Sequence, residues 1–274
     1  MRVARFSTGG DPVFGLVELA ADGGEHPDTV AVISGDPLAS AVQFTGERHA
    51  LADVRLLAPV IPRSKVIAVG PNYVDLARDL GQELTDTPIT FFKPNTAVIG
   101  PDEAIIYPDF SNEVGFEGEL AVVIGRICKE VPPERVQDVI FGYTIGNDVS
   151  ARDIQFNEAQ WSRAKGFDTS CPLGPWITCH LSVEEAQNLR ITTTLDGALH
   201  QNASTSDMVH SIRDLVSFIS SYMTLLPGDV LLTGTPGGVG LMEPGQTVSV
   251  SIEQLGTLAN PVVGSRNNPA GAQQ

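Results

Sequence analysis

The sequence predicts a mixed, β-rich α+β fold with a small N-terminal domain. Short apolar runs recur along the chain, 27 glycines and 19 prolines punctuate them, and helical spacing is confined to a few segments. At roughly 150 residues per domain, 274 residues suggest a main domain and a smaller one. A hydrophobic fraction of 42% against 18% charged residues supplies a sizeable core and argues against disorder.

The elements follow in chain order. Residues 1–60 hold short strand-like stretches, Val13 to Val17 and Thr29 to Ile33, separated by Gly, Asp and Pro. Leu57 to Pro62, with Pro59 and Pro62, marks the boundary to a domain over 61–262. Lys65 to Gly70 reads as an apolar strand ending in glycine. Tyr73 to Leu80 has helical spacing, with Leu76 and Leu80 one turn apart. Ala104 to Tyr107, Glu119 to Ile127 and Ile140 to Ile145 read as strands. Asp207 to Leu225 predicts an amphipathic helix started by Ser206 and Asp207, with Met208, Ile212, Leu215, Ile219 and Met223 on one side. Pro227-Gly228-Asp229 ends it, and the strand Val230 to Thr233 leads into a Gly/Pro-rich loop, Gly234 to Gly240. Residues 263–274 read as a flexible tail.

Charge and composition exclude several functions. The net charge is −16, the wrong sign for a nucleic-acid or anionic-membrane binder. No apolar run reaches the roughly 18–20 residues of a membrane helix, and no apolar leader follows Arg2 and Arg5, so a cytoplasmic protein is expected. Cys128, Cys171 and Cys179 have no framework spacing and predict buried free thiols.

The strongest chemical signal is Phe116-Glu117-Gly118-Glu119-Leu120, leading into an apolar strand. Side chains at i and i+2 of a strand share a face, so Glu117 and Glu119 stand side by side. Close carboxylates repel unless a cation lies between them, and all-oxygen ligation favours Mg²⁺, Mn²⁺ or Ca²⁺. Asp148, after the strand ending at Ile145, is a candidate third ligand. From the residues alone, a solvated strand face with Asp148 capping a turn explains the pattern equally well. A second signal is the rarity of lysine, with four against thirteen arginines. Lys93 follows Phe91-Phe92, and Lys165 lies in Trp161 to Phe167. A partly buried lysine stabilises an enolate or carboxylate beside a metal, although a snorkelling surface lysine is commoner. The loop after Thr233 offers backbone N–H groups for an anion, or is a plain turn.

Together these segments resemble the fumarylacetoacetate hydrolase superfamily, in its small prokaryotic-type branch of hydroxyheptadienedioate isomerases and acylpyruvases. The resemblance rests on Phe91-Phe92-Lys93-Pro94, Phe116 to Gly125, Gly142 to Asp153, Arg163 to Asp168, Cys171 to Trp176 and Leu226 to Pro236, in order over residues 65 to 260. It implies a β-sheet roll core and a homodimer. It also implies Mg²⁺ or Mn²⁺ on Glu117, Glu119 and Asp148, with Lys165 as the active-site lysine. Tyr73, Gln155 and Thr235 fall on the substrate side, as does Arg152, for which a structural role beside Asp153 is equally open. The implied substrates are small 2-oxo, dicarboxylic or β-dicarbonyl acids, processed through an enolate at the metal.

This chain departs from the family pattern. Where members carry histidine after Gly-x-Asn-Tyr-x-x, it has Leu76 in Gly70-Pro71-Asn72-Tyr73-Val74-Asp75-Leu76, with Asp79 at the place of the partner acid. Leucine has no titratable group, so water activation is the step most damaged. Asp79, or Asp75, is the remaining candidate base unless both form the polar face of a helix. Isomerase, tautomerase or decarboxylase chemistry is therefore expected ahead of C–C bond hydrolysis. A silent metal- and dicarboxylate-binding homologue is the alternative of another class.

Overall fold

The strand Gly118–Ile124 lies at the centre of the architecture. Alternation along it places Leu120, Val122 and Ile124 in one core and Ala121 and Val123 in another. A strand covered on both faces is apolar throughout, which is why this segment carries no polar residue after Glu119. The computed structural model describes residues 1–20, 26–81 and 83–265; of the expected tail, 266–274 lies outside the described residues.

Around this strand runs a 12-stranded sheet. Its main path is Phe44–Ala50, Thr29–Ile33, Val13–Glu18, Arg2–Ser7, Cys171–Thr178, Ile140–Asn147, Gly118–Ile124, Val230–Leu232, Val66–Val69 and Thr90–Lys93. Neighbours are antiparallel along this path except Val66–Val69, which runs parallel to Val230–Leu232. Arg2–Ser7 pairs with Cys171–Thr178 through Arg2↔Thr178 and Val3↔Ile177, so the N-terminal strands extend the main sheet. A 5-stranded sheet follows the order Ala198–Ser204, Arg190–Leu195, Thr247–Ile252, Gly256–Val263, Ile105–Ile106. Its Ile191, Val250, Ile252 and Leu258 share a core with Leu120, Val122, Tyr143 and Ile145 of the main sheet.

The two sheets approach closely at Gly118. A Cβ there would run into Thr193 Oγ1 and come within 2.9 Å of Val250 Cγ1. The residue between the two glutamates is therefore a glycine for steric reasons, and the carboxylate of Glu119 points away from the second sheet.

The C-terminal helix differs from expectation. It spans Ile212–Tyr222 rather than Asp207 to Leu225, and a 3-10 turn, Thr205–Asp207, precedes it. This stretch contains two Ser-x-x-acid capping boxes. Ser204 with Asp207 closes the short turn, and Ser211 with Asp214 starts the helix. Between them the chain is extended: Met208 bridges to Tyr73, and the His210 amide donates to Asn72 Oδ1 at 2.8 Å. Tertiary hydrogen bonds to the Asn72 loop thus override the helical spacing of Met208. Ser211→Ala removes the acceptor for the Asp214 amide and should cost about 1 kcal/mol, read as a lower urea midpoint with unchanged slope.

The other helix of interest spans Val74–Asp79, with Tyr73 and Leu80 as its caps. Among the described residues no helix is long and apolar enough to cross a membrane. Cys171 is a buried free thiol, whereas Cys128 and Cys179 are only half-buried.

Candidate metal centre and active site

Glu117 occupies the one position between Val114–Phe116 and Gly118–Ile124, where the chain passes from a 3-stranded sheet into the main sheet. Asn147 Oδ1 accepts from the Glu117 amide at 2.9 Å, and the Asp148 amide donates to the Glu117 carbonyl at 2.9 Å. These bonds set Asp148 beside Glu117 at the end of Ile140–Asn147. Ligand oxygens of Glu117, Glu119 and Asp148 all lie within 4.8 Å of one another. The residues are 6%, 0% and 1% exposed, which rules out the solvated-face explanation.

Cations surround the acids. Lys165 Nζ donates to Glu117 Oε2 and to Asp148 Oδ2, both at 2.8 Å. Lys93 Nζ takes the other oxygen of Asp148 at 2.5 Å, and also donates to the carbonyls of Val149 at 3.3 Å and of Lys165. Arg152 Nη1 lies 2.6 Å from Glu117 Oε1, which also accepts from Ser150 Oγ at 3.2 Å. Lys93 is thus no surface lysine: it is 1% exposed and holds both Asp148 and the backbone of Lys165.

Glu119 is treated differently. Its Oε2 accepts from the Gly234 amide at 2.7 Å, while its Oε1 is buried without a partner among the described residues. Gly234 has φ +94°, and a Cβ there would lie 2.6 Å from Asn72 Cβ, so only glycine brings this amide to the carboxylate. The anion met by the Gly-rich loop is therefore the protein's own glutamate.

Protonation follows from these contacts. Burial, reinforced by the charges of Asp148 and Glu117, pushes the Glu119 carboxyl well above its ordinary range. Burial would also raise Asp148, but Lys165 and Lys93 outweigh it and hold the carboxyl below its usual range. Burial disfavours the Lys165 ammonium, yet Asp148 and Glu117 outweigh that and hold it above its ordinary value. An orphaned carboxylate oxygen on the most destabilised acid, facing further acidic oxygens, fits a hard divalent cation.

A cavity borders this centre. Its polar lining is Glu117, Gln155, Lys165 and Thr235, and its apolar lining includes Leu76, Leu80, Phe91 and Trp161. Gln155 Oε1 accepts from Arg152 Nη1 at 3.0 Å. Thr235 Oγ1 donates to the Gly118 carbonyl at 2.7 Å and accepts from Gln201 Nε2 at 2.8 Å. Lys165 Nζ stands 5.2 Å from the centroid of the Phe91 ring.

The structure does not bring every candidate to this cavity. Asp79 lies at the end of its helix, 43% exposed at the side chain, 3.6 Å from Arg78 Nη2 and outside the lining. Asp75 Oδ1 accepts from the Leu76 amide at 2.8 Å, and Asp75 too lies outside the lining. Tyr73 is 1% exposed within the core, its hydroxyl unpartnered among the described residues. Burial and the nearby Glu119 push that hydroxyl above its ordinary value. His200 packs edge-on to Phe116 at 5.4 Å, and His210 Nε2 is 3.2 Å from the Thr85 carbonyl. Neither histidine lines the cavity. Asn147, Ser150, Phe91 and Trp161 join the site without having been singled out individually as site residues. Asn147, Ser150 and Phe91 lie in matched segments, whereas Trp161 lies outside them, in the stretch around Lys165.

Comparison with known proteins agrees with this arrangement. Residues 65–263 match the family model "Fumarylacetoacetate (FAA) hydrolase C-terminal", and residues 1–59 match "Rv2993c-like, N-terminal". Protein Rv2993c of Mycobacterium tuberculosis is 49% identical over 96% of this chain and 98% of its own length. The rat mitochondrial oxaloacetate tautomerase Fahd2a is 40% identical, covering 77% of this chain and 70% of its own. The structure of 2-hydroxyhepta-2,4-diene-1,7-dioate isomerase from Mycobacterium marinum superposes with a TM-score of 0.88 at 47% identity, covering 97% of this chain and 99% of that one. Fumarylpyruvate hydrolase from Pseudomonas aeruginosa, solved with Mn²⁺ and pyruvate, has a TM-score of 0.70 at 31% identity, covering 75% of this chain and 91% of that one. With fold, acidic triad and family model in agreement, the chain is an enzyme of the fumarylacetoacetate hydrolase family.

Proposed function

We propose that the enzyme is a keto–enol tautomerase or isomerase of a small 2-oxo acid, working at Mg²⁺ or Mn²⁺ on Glu117, Glu119 and Asp148. The observation that carries this reading is Leu76 in the lining of the cavity. Among the described lining residues, Glu117 and Lys165 are the ionisable ones, and they bond to each other. A site so lined has no free base to activate water. Moving one proton between carbon and oxygen of an enol demands less. A bound divalent cation would polarise the 2-oxo group. Lys165 Nζ, kept charged by Asp148 and Glu117, presents positive charge and a proton to the oxygen on which charge develops. Arg152 and Ser150 orient Glu117, and Lys93 orients Asp148. The relatives support the reading: an oxaloacetate tautomerase and a dienedioate isomerase are at least as similar as the hydrolases.

The test follows the ultraviolet absorbance of enol oxaloacetate with Mn²⁺, beside hydrolysis of an acylpyruvate. Enol loss should be catalysed and acylpyruvate hydrolysis slow. Leu76→His should raise the hydrolysis by about 10²-fold or more, the ordinary contribution of general acid–base help. Fast wild-type hydrolysis without enol loss would defeat the proposal.

A further inference from the structure

The loop that brings Thr235 to the cavity is held from behind by a residue outside the lining. Gln201 lies on the strand Ala198–Ser204 of the second sheet and is 0% exposed. Its Oε1 accepts from the Gly118 amide at 3.1 Å. Its Nε2 donates to Thr235 Oγ1 and to the Pro236 carbonyl, both at 2.8 Å. One backbone donor and one backbone acceptor thus dictate which end of the side-chain amide is oxygen and which is nitrogen.

This polarity passes on to Thr235. Nε2 is a donor only, so Thr235 Oγ1 accepts from it, and the single hydroxyl hydrogen goes to the Gly118 carbonyl at 2.7 Å. Gln201 and Thr235 therefore close a ring of hydrogen bonds around Gly118, the residue between the two glutamates. Among the described residues, the hydrogen bonds of Thr235 and Pro236 run to Gly118 and Gln201.

The base of the same loop has separate anchors. The Thr233 amide and Oγ1 both donate to the Leu120 carbonyl, at 3.1 and 3.0 Å, and the Gly234 amide meets Glu119. The part of the loop that serves the metal ligand is thus fixed without Gln201, whereas the part that lines the cavity depends on it.

We propose that Gln201 is a positioning residue for substrate binding, which fixes Thr235 and Pro236 from the second sheet without itself touching the substrate. This rests on the 2-oxo acid reading above and adds the residue that holds one wall of its site.

The test is calorimetric titration of Mn²⁺, and then of pyruvate into the Mn²⁺-loaded full chain, with wild type and Gln201→Met. Methionine fills the space but offers no donor to Thr235 or Pro236. The pyruvate Kd should rise about tenfold, as expected for lost buried hydrogen bonds, while the Mn²⁺ Kd changes by less than about threefold. A merely structural residue would weaken both alike. Gln201→Asn, with an amide one methylene shorter, carries the same comparison in a milder form should Gln201→Met fail to fold. In a Thr235→Val background Gln201→Met should add about threefold or less, because the group it acts through is gone. An unchanged pyruvate Kd overturns the proposal, as do an equal loss of Mn²⁺ affinity and full additivity with Thr235→Val. Wild-type protein that binds pyruvate but consumes no enol defeats the tautomerase and leaves the role of Gln201 standing. Wild-type protein that binds Mn²⁺ but no pyruvate overturns both.

Discussion

Glu119→Gln is expected to weaken Mn²⁺ binding by about a hundredfold or more and to abolish turnover, while leaving the fold intact. The side chain is 0% exposed, one oxygen is fixed by the Gly234 amide, and the other has no partner among the described residues. A glutamine keeps the hydrogen bond from Gly234 and most of the shape but removes the charge. Loss of a direct ligand should exceed the roughly 10–100-fold cost of losing a residue that only supports one. Stability separates this from unfolding. The ionised Glu119 is destabilised by burial and by Asp148 and Glu117, so the metal-free variant should be at least as stable as the metal-free wild type. At a hundred times its Kd, Mn²⁺ adds about 2.7 kcal/mol to the wild type, or about 5–10 °C in Tm. The variant should lose this shift. Titration calorimetry and thermal melts with and without Mn²⁺ make the measurement, and a retained Mn²⁺ shift would remove Glu119 from the metal site.

Lys165→Met should lower turnover about 10²–10⁴-fold with Mn²⁺ binding preserved or strengthened. The ammonium contacts Glu117 and Asp148 at 2.8 Å each, in competition with a metal for the same carboxylates. Removing it leaves the triad more negative, which favours a divalent cation. It also leaves buried carboxylates short of a partner, so the metal-free variant should lose about 3–5 kcal/mol of stability. Added Mn²⁺ should restore much of that, giving a larger Tm shift than in the wild type. Kinetics at saturating Mn²⁺ beside the melts distinguish the roles. A variant that binds no Mn²⁺ would make Lys165 a support of the triad, and one with full turnover would exclude it from the chemistry.

Much of the site was legible because its signals are local or lie in matched segments. Glu117 and Glu119 flank a glycine at the head of an apolar strand, and the setting of Lys93 between aromatics and proline is unusual, although residue type alone favours the surface lysine that the structure excludes. The failures were equally physical. The helical spacing of Met208 was real in sequence, but two capping boxes compete there, and hydrogen bonds to Asn72 decide between them. Asp79 has the spacing of a partner acid, and its carboxylate lies beside Gly237 of the Gly-rich loop with the side chain 43% exposed, while Leu76 and Leu80 form the cavity wall.

By itself the sequence determined the β-rich class, most strand positions, the family and the identities of the acidic triad and its lysine. Side-chain alternation, turn residues and ordered motifs are short-range properties that a chain displays without folding. Only the tertiary structure decided which cations answer which carboxylates. Lys93 meets Asp148 across 55 positions and Lys165 meets Glu117 across 48, distances no periodicity spans. It also decided that Glu119 keeps an unpartnered oxygen and that the cavity beside it is walled by Leu76, Phe91 and Trp161. Those are consequences of sheets closing on one another, where burial removes water and leaves each charge to the partners that packing supplies.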